Sequence, residues 1–231
     1  MRKVVLSAAL VCAVIVFAQT RSAPAFTPTV AAPELHLTAD NLTGIKTQLY
    51  NYQQSGQYDR EIAQVVKPAH DWLESRTASA APAEKLAAIF DIDETALSNL
   101  PYMMDCGFCS AGAQAKLYPS DRDPALPPVR ELFEFAKSKG ITVFFVTGRS
   151  EASRDLTVRT LRTAGYSGWE DLLMRLNGNT DPARIMKAGI RQGVERKGFK
   201  IILNIGDQLS DLIGGFAERT YKLPDPFYFT E

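Results

Sequence analysis

An α/β fold is what this sequence predicts, with helices layered on both faces of a central parallel sheet. Two observations carry the prediction. Apolar runs of strand length alternate with stretches of helical period, and that alternation builds parallel strands joined by right-handed crossovers. The clearest runs each end in a cluster of polar residues, as happens where strand C-termini gather along the sheet edge that binds ligands.

The first run is Leu86-Ala87-Ala88-Ile89-Phe90, followed by Asp91-Ile92-Asp93-Glu94-Thr95. Residues two apart on an extended chain share a face, so Asp91 and Asp93 can converge on one ligand while Ile92 turns to the core. Taken alone, an Asp-x-Asp also suits a turn or a helix N-cap. The second run, Ile141 to Val146, leads into Thr147-Gly148-Arg149. A helical stretch opened by Asp181-Pro182 and closed by Gly198 then carries Lys187. The last run, Lys200 to Ile205, leads into Gly206-Asp207-Gln208-Leu209-Ser210-Asp211.

Ahead of the first strand, Ala23 to Pro33 is a Pro- and Ala-rich lead. Leu42, Ile45, Leu49 and Tyr52, then Tyr58, Ile62, Val65, Val66 and Trp72, recur at helical spacing and predict N-terminal helices packed on the sheet. Residues 98–128, after the first strand, form a small insertion overhanging the polar edge. Its aromatics Tyr102, Phe108 and Tyr118 either select substrate or only pack the insertion.

An acid pair, a hydroxyl, a lysine and a second acid pair at one sheet edge are what phosphoryl transfer through an aspartyl-phosphate requires. Asp91 would attack phosphorus. Asp93 would protonate the leaving alcohol and later take a proton from the hydrolytic water. Carboxylate and phosphate repel each other, so a divalent ion is expected between them, and oxygen ligands favour magnesium. Asp91, Asp207 and the Asp93 backbone carbonyl are its expected ligands. Lys187 supplies further positive charge, with Lys197 and Lys200 as alternatives in register, while Thr147, Gly148 and backbone N–H groups hold phosphate oxygens. Arg149 either binds substrate or buttresses its loop.

These stretches resemble the haloacid-dehalogenase (HAD) superfamily, and within it the four-aspartate acid phosphatases of subfamily IIIB. That group includes plant acid phosphatases, vegetative storage proteins and the bacterial lipoprotein e type. The resemblance rests on Phe90 to Thr95 with Ser98 to Tyr102, on Thr147-Gly148-Arg149, on Gly165-Tyr166, Trp169 and Leu172 to Arg175, on Lys187, Gly198-Phe199, and on Asn204 to Gln208 with Asp211. It covers residues 85–220 and, more weakly, the helical lead-in from residue 40. What it implies is a Rossmann-like three-layer αβα fold, hydrolysis of phosphate monoesters with magnesium, and Asp211 as a group that positions Lys187 or a metal-bound water. It leaves room for a non-catalytic storage relative or for a phosphotransferase, which shares the intermediate.

Composition agrees with one domain and excludes other classes. The 231 residues are 45 % hydrophobic, enough for one ample core, and 26 basic residues balance 26 acidic ones. Such a balance gives no electrostatic case for nucleic-acid polymers or membrane surfaces, so the expected partner is a small phosphomonoester. Arg2 and Lys3, an uncharged stretch from Val4 to Ala18, and small residues read as a secretory signal over residues 1–25, cleaved after Ala18 or Ala25. The phosphatase domain then spans 38–231, exported to the periplasm or the medium. Cys12 lies in a poor context for lipid attachment. Cys106 and Cys109 are the remaining cysteines; in an oxidising compartment they are expected to bridge and shape the insertion. They do not open a helix after a first strand, as a thioredoxin-like redox pair does. His36 and His70, far from the motifs, read as surface or packing residues, and Arg154, Arg159 and Arg162 as a solvated helix face.

Overall fold

In the computed structural model, residues 26–109 and 122–230 are described. The expected signal segment, Tyr118 and the middle of the insertion lie outside them. One six-stranded sheet, all parallel, runs in the order β1-β6-β5-β2-β3-β4. The strands are β1 (Val30–Ala31), β2 (Lys85–Phe90), β3 (Thr142–Ser150), β4 (Asp171–Arg175), β5 (Phe199–Gly206) and β6 (Thr220–Lys222). From β2 the chain winds outward through β3 and β4, then returns to β5 on the other side of β2. The winding therefore reverses between β2 and β5, and the crevice beyond their C-termini is where an open α/β sheet binds ligand.

Alternate residues of the central strands bury against two separate layers. Ala88, Phe90, Val143, Phe145, Leu203 and Ile205 face α2 (Gln57–Ala78) and α4 (Pro127–Ser138), whose Ile62, Val65, Ala69, Leu73, Val129 and Phe133 join the same core. Ala87, Ile89, Phe144, Val146 and Ile201 face the opposite way, toward Ile190 and Val194 of α6 (Ala183–Arg196). Burial on both faces explains why these strands read as continuous apolar runs rather than as alternating ones. The expected three-layer α/β architecture is the observed one.

Local chemistry sets the helix ends. Asn41 accepts the Gly44 backbone N–H at 2.9 Å and opens α1 (Leu42–Gln54). Pro127 occupies the first turn of α4. Pro182 precedes α6, and Gly198, at φ +88°, ends it in the left-handed conformation that glycine adopts without steric cost. Two boundaries differ from the sequence reading. The strand that was expected to stop at Val146 continues to Ser150, so Thr147, Gly148 and Arg149 lie within β3, across a register shift in its pairing with β4. Helix α4 starts inside the expected insertion, whose described part is α3 (Leu100–Asp105), the turn at Gly107 and the segment around Asp123.

Candidate active site

The buried end of β2 places the first acid pair. Asp91 continues the ladder, donating its backbone N–H to Ile205 O at 3.0 Å, and Ile92 is fully buried. Leu97 N–H returns to Ile92 O at 2.8 Å and closes a tight loop that leaves Asp91 and Asp93 on the wall of one cleft. That cleft has a volume of about 680 Å³ and takes in Gly148, Arg149, Lys187, Asp207 and Asp211.

Lys187, on α6, reaches between two carboxylates, with Nζ 2.5 Å from Asp91 Oδ1 and 2.5 Å from Asp211 Oδ1. Of the candidate lysines, Lys187 is the one that reaches the cleft. Lys197 is an exposed residue at the end of α6, and Lys200 pairs with Glu84 and Glu218 far from the cleft. Burial alone would depress the Lys187 ammonium, but Asp211 and Asp91 outweigh it and raise its pKa.

Asp207 stands at the end of β5, beside Asp91 across the switch point. Thr95 donates to its Oδ1 at 3.0 Å, while Gln208 Nε2 at 2.8 Å and the Tyr228 hydroxyl at 3.0 Å donate to its Oδ2. Asp211 is fixed from two sides. Its Oδ2 accepts Gln208 N–H at 2.8 Å in a capping box, and Arg191 and Asn204 both donate to its backbone carbonyl. Arg191 is fully buried among main-chain carbonyls with no carboxylate in contact among the described residues, and burial pulls its pKa down to about 10.

Asp91, Asp207 and Asp211 each offer a carboxylate oxygen within 4.8 Å of the others, and all three are buried. Burial, then the Asp211 charge, push Asp91 and Asp207 well above the ordinary carboxylate range. With all three ionised, the one contacting ammonium leaves two negative charges unbalanced. A divalent cation with oxygen ligands matches both that charge and that donor set.

Asp93 differs from its sequence reading, which required it to hold a proton. Burial works to raise its pKa, but the Arg149 guanidinium outweighs burial and holds the carboxyl below its ordinary value. Arg149 Nη2 lies 2.6 Å from Asp93 Oδ1 and Nε lies 3.1 Å from Oδ2, a two-pronged grip. Arg149 also donates to the buried Asp123 at 3.1 Å, and Asn99 donates to Asp93 at 2.9 Å. Arg149 thus both lines the cleft and buttresses the acid pair. Thr147 is fully buried and does not line the cleft, its hydroxyl accepting the Arg149 backbone N–H at 3.1 Å.

Further residues join the site. Glu94 is fully buried at φ +50°, held by Asn99. Tyr228 and Asp225 come from the C-terminal segment, where burial and the Glu94 charge raise Asp225 to about 7. Cys106 and Cys109 are bridged, with Cα atoms 5.5 Å apart, and Cys109 lines the cleft mouth. Phe108, between them, stacks on Phe227. The residues expected to be bland are so: His36 and the two arginines Arg159 and Arg162 are exposed, and His70 stacks on Phe135. Arg154 does more, bonding Glu151 and the Leu172 carbonyl. No helix among the described residues is long and apolar enough to cross a membrane.

Known proteins resemble this chain. Acid phosphatase 1 of Solanum lycopersicum is 38 % identical over 152 residues, which are 61 % of this chain and 58 % of that protein. Vegetative storage protein 1 of Arabidopsis thaliana is 32 % identical over 146 residues, 61 % of this chain and 54 % of its own. The chain therefore spans little more than half the length of these relatives. Among solved structures, the class C acid phosphatase from Bacillus anthracis superposes with a TM-score of 0.66, covering 81 % of this chain and 86 % of that one, at 22 % identity, a likeness of fold alone. The family profile of the HAD superfamily, subfamily IIIB (acid phosphatase), matches residues 19–231, and with that match the chain belongs to this subfamily.

Proposed function

We propose that this protein is a magnesium-dependent acid phosphatase that hydrolyses phosphate monoesters by way of a phosphorylated Asp91. One observation carries the reading: Asp91 ends a central strand at the switch point with one oxygen held by Lys187, leaving the other to act as nucleophile toward the cleft. Asp91, Asp207 and the Asp93 backbone carbonyl would hold the ion, with Asp211 behind Lys187. Bound there, magnesium would screen the repulsion between the attacking carboxylate and the phosphoryl oxygens.

The remaining work falls to the chain's own side chains. Lys187 orients Asp91 and offsets phosphoryl charge, and Arg149 and the exposed Gly148 backbone face the substrate oxygens. Thr147 is suited to donate its hydroxyl from below. The Arg149 grip favours the ionised form of Asp93, so in this reading the proton for the leaving alcohol arrives with the ester itself, as the phosphate monoanion that prevails below a second pKa of about 6. Asp93 relays that proton to the leaving oxygen and, once the alcohol has gone, takes one from the water that hydrolyses the acyl phosphate and passes it to the departing phosphate. A mildly acidic optimum follows. Residues 1–25 are proposed as an export signal, and the bridged Cys106–Cys109 pair suits an oxidising compartment.

The test is phosphate release from a panel of monoesters, before and after dialysis against EDTA and after return of magnesium. Loss with EDTA and recovery with magnesium, with a maximum below pH 7, support the reading. No release from any ester would make the chain a non-catalytic relative, and full activity of the chelated protein would remove the metal from the chemistry.

A further inference from the structure

The C-terminal segment from Leu223 to Thr230 belongs to no motif, yet it runs across the active edge and meets the site at several atoms. Leu223 N–H anchors its start on Gly206 O at 2.9 Å, directly before Asp207. Further along, Asp225 Oδ2 accepts Gln208 Nε2 at 2.5 Å, and Thr230 N–H returns to Gln208 Oε1 at 3.2 Å. The Tyr228 hydroxyl donates to Asp207 Oδ2 at 3.0 Å. Apolar contacts pin the segment: Phe227 stacks on Phe108 at 5.9 Å and packs edge-on to Tyr58 at 5.3 Å.

An ionised carboxylate has about four acceptor positions. At Asp207, Thr95, Gln208 and Tyr228 fill three of them. A carboxylate oxygen of Asp207 also lies within 4.8 Å of oxygens of Asp91 and Asp211, and the Asp225 carboxyl approaches Asp207 from the strap. We infer that the C-terminal segment is a strap that presents Asp207 to the cation, and that Tyr228 is a positioning residue for metal binding. This inference rests on the proposed metal-dependent reading of the site. The mechanical case is that Asp207 sits on a strand end whose side chain would otherwise rotate about χ1 and χ2. Donors from the strap and from Gln208, itself gripped by the strap, remove that freedom before the ion arrives. Partners of metal-ligating groups typically contribute 10–100-fold in affinity when removed.

Tyr228→Phe deletes the hydroxyl and keeps the ring. Magnesium binding is measured by titration calorimetry on the substrate-free protein, alongside the magnesium dependence of phosphate release. The expected result is a magnesium Kd raised at least about tenfold, an equal shift in the concentration needed for half-maximal activity, and recovery of kcat with unchanged KM at saturating magnesium. A second variant, Phe227→Leu, loosens the strap without touching Asp207 and should shift the Kd in the same direction by less. Circular dichroism confirms that each variant is folded. Wild-type magnesium affinity in a folded Tyr228→Phe protein, or a fall in kcat that saturating magnesium does not restore, overturns the strap as a metal-positioning device while leaving the phosphatase reading intact. Absence of magnesium binding in the wild-type protein overturns both.

Discussion

Gly206 precedes Asp207 in the last motif, and the reason it must be glycine lies in the packing behind it. A Cβ added there would lie 2.5 Å from Asp211 Oδ2, 2.6 Å from Asp211 Cβ and 2.9 Å from its Cγ. Comfortable carbon contacts lie at about 3.5–4.0 Å, so Gly206→Ala must drive Asp211 back by on the order of 1 Å. The crowded atoms include a Cβ, so rotation of the carboxylate cannot relieve the clash. Overpacking of this kind costs about 1–3 kcal/mol, and a domain of this size loses roughly 2–4 °C of Tm per kcal/mol. Activity should fall further than stability. Asp211 holds Lys187, and Lys187 holds the nucleophile, each across 2.5 Å. Misplacement by about 1 Å in such a chain costs on the order of a hundredfold in rate. Thermal melting and kcat/KM for one ester, measured on the same preparation, decide the matter. A variant that melts and turns over like the wild type would refute the tight Gly206–Asp211 packing and the chain of positioning built on it.

Lys187→Ala should lose two or more orders of magnitude in kcat/KM through lost charge stabilisation, on the order of what one oxyanion donor contributes, whereas Lys197→Ala should be neutral; the reverse pattern would return the register question to the sequence. Arg76 binds Glu84 and Glu218 at the far end of the sheet, and its hydrogen bonds, with the Ala81 N–H and Lys200 adding to them, pull Glu84 down to about 2. A depressed acid contributes stability above its ordinary pKa and loses it as pH falls, so wild-type Tm should decline between about pH 4.5 and 2 with a component that Arg76→Ala abolishes; identical pH profiles for the two proteins would dismiss the network. Alkylation without reductant should leave Cys106 and Cys109 unmodified in the exported protein. Two added groups by intact mass would show the bridge to be absent.

Much of this site was legible because its residues follow strands. Buried runs such as Leu86–Phe90 and Ile201–Ile205 announce parallel strands, and the topology alone then brings Asp91 and Asp207 together. The two shortest strands were not legible: β1, at one edge, and its neighbour β6 are two and three residues long, too short for any period to emerge. Arg149 could be placed near the site, but its grip on Asp93 depends on Asp123 from the insertion, a contact across sequence that spacing does not encode. The Arg149 grip that favours the ionised form of Asp93 is equally invisible in the spacing. Tyr228 lies 21 residues beyond Asp207, and only the path of the chain back over the edge reveals the connection.

The central claim is that Asp91 carries the phosphoryl group. Rapid mixing with an ester, acid quench and reduction with borohydride convert an aspartyl-phosphate to homoserine, which peptide mass spectrometry locates. The account predicts homoserine at Asp91, dependent on both ester and magnesium and absent from Asp91→Asn, which should also be inactive. Homoserine at another aspartate, or turnover by Asp91→Asn at the wild-type rate, would contradict it.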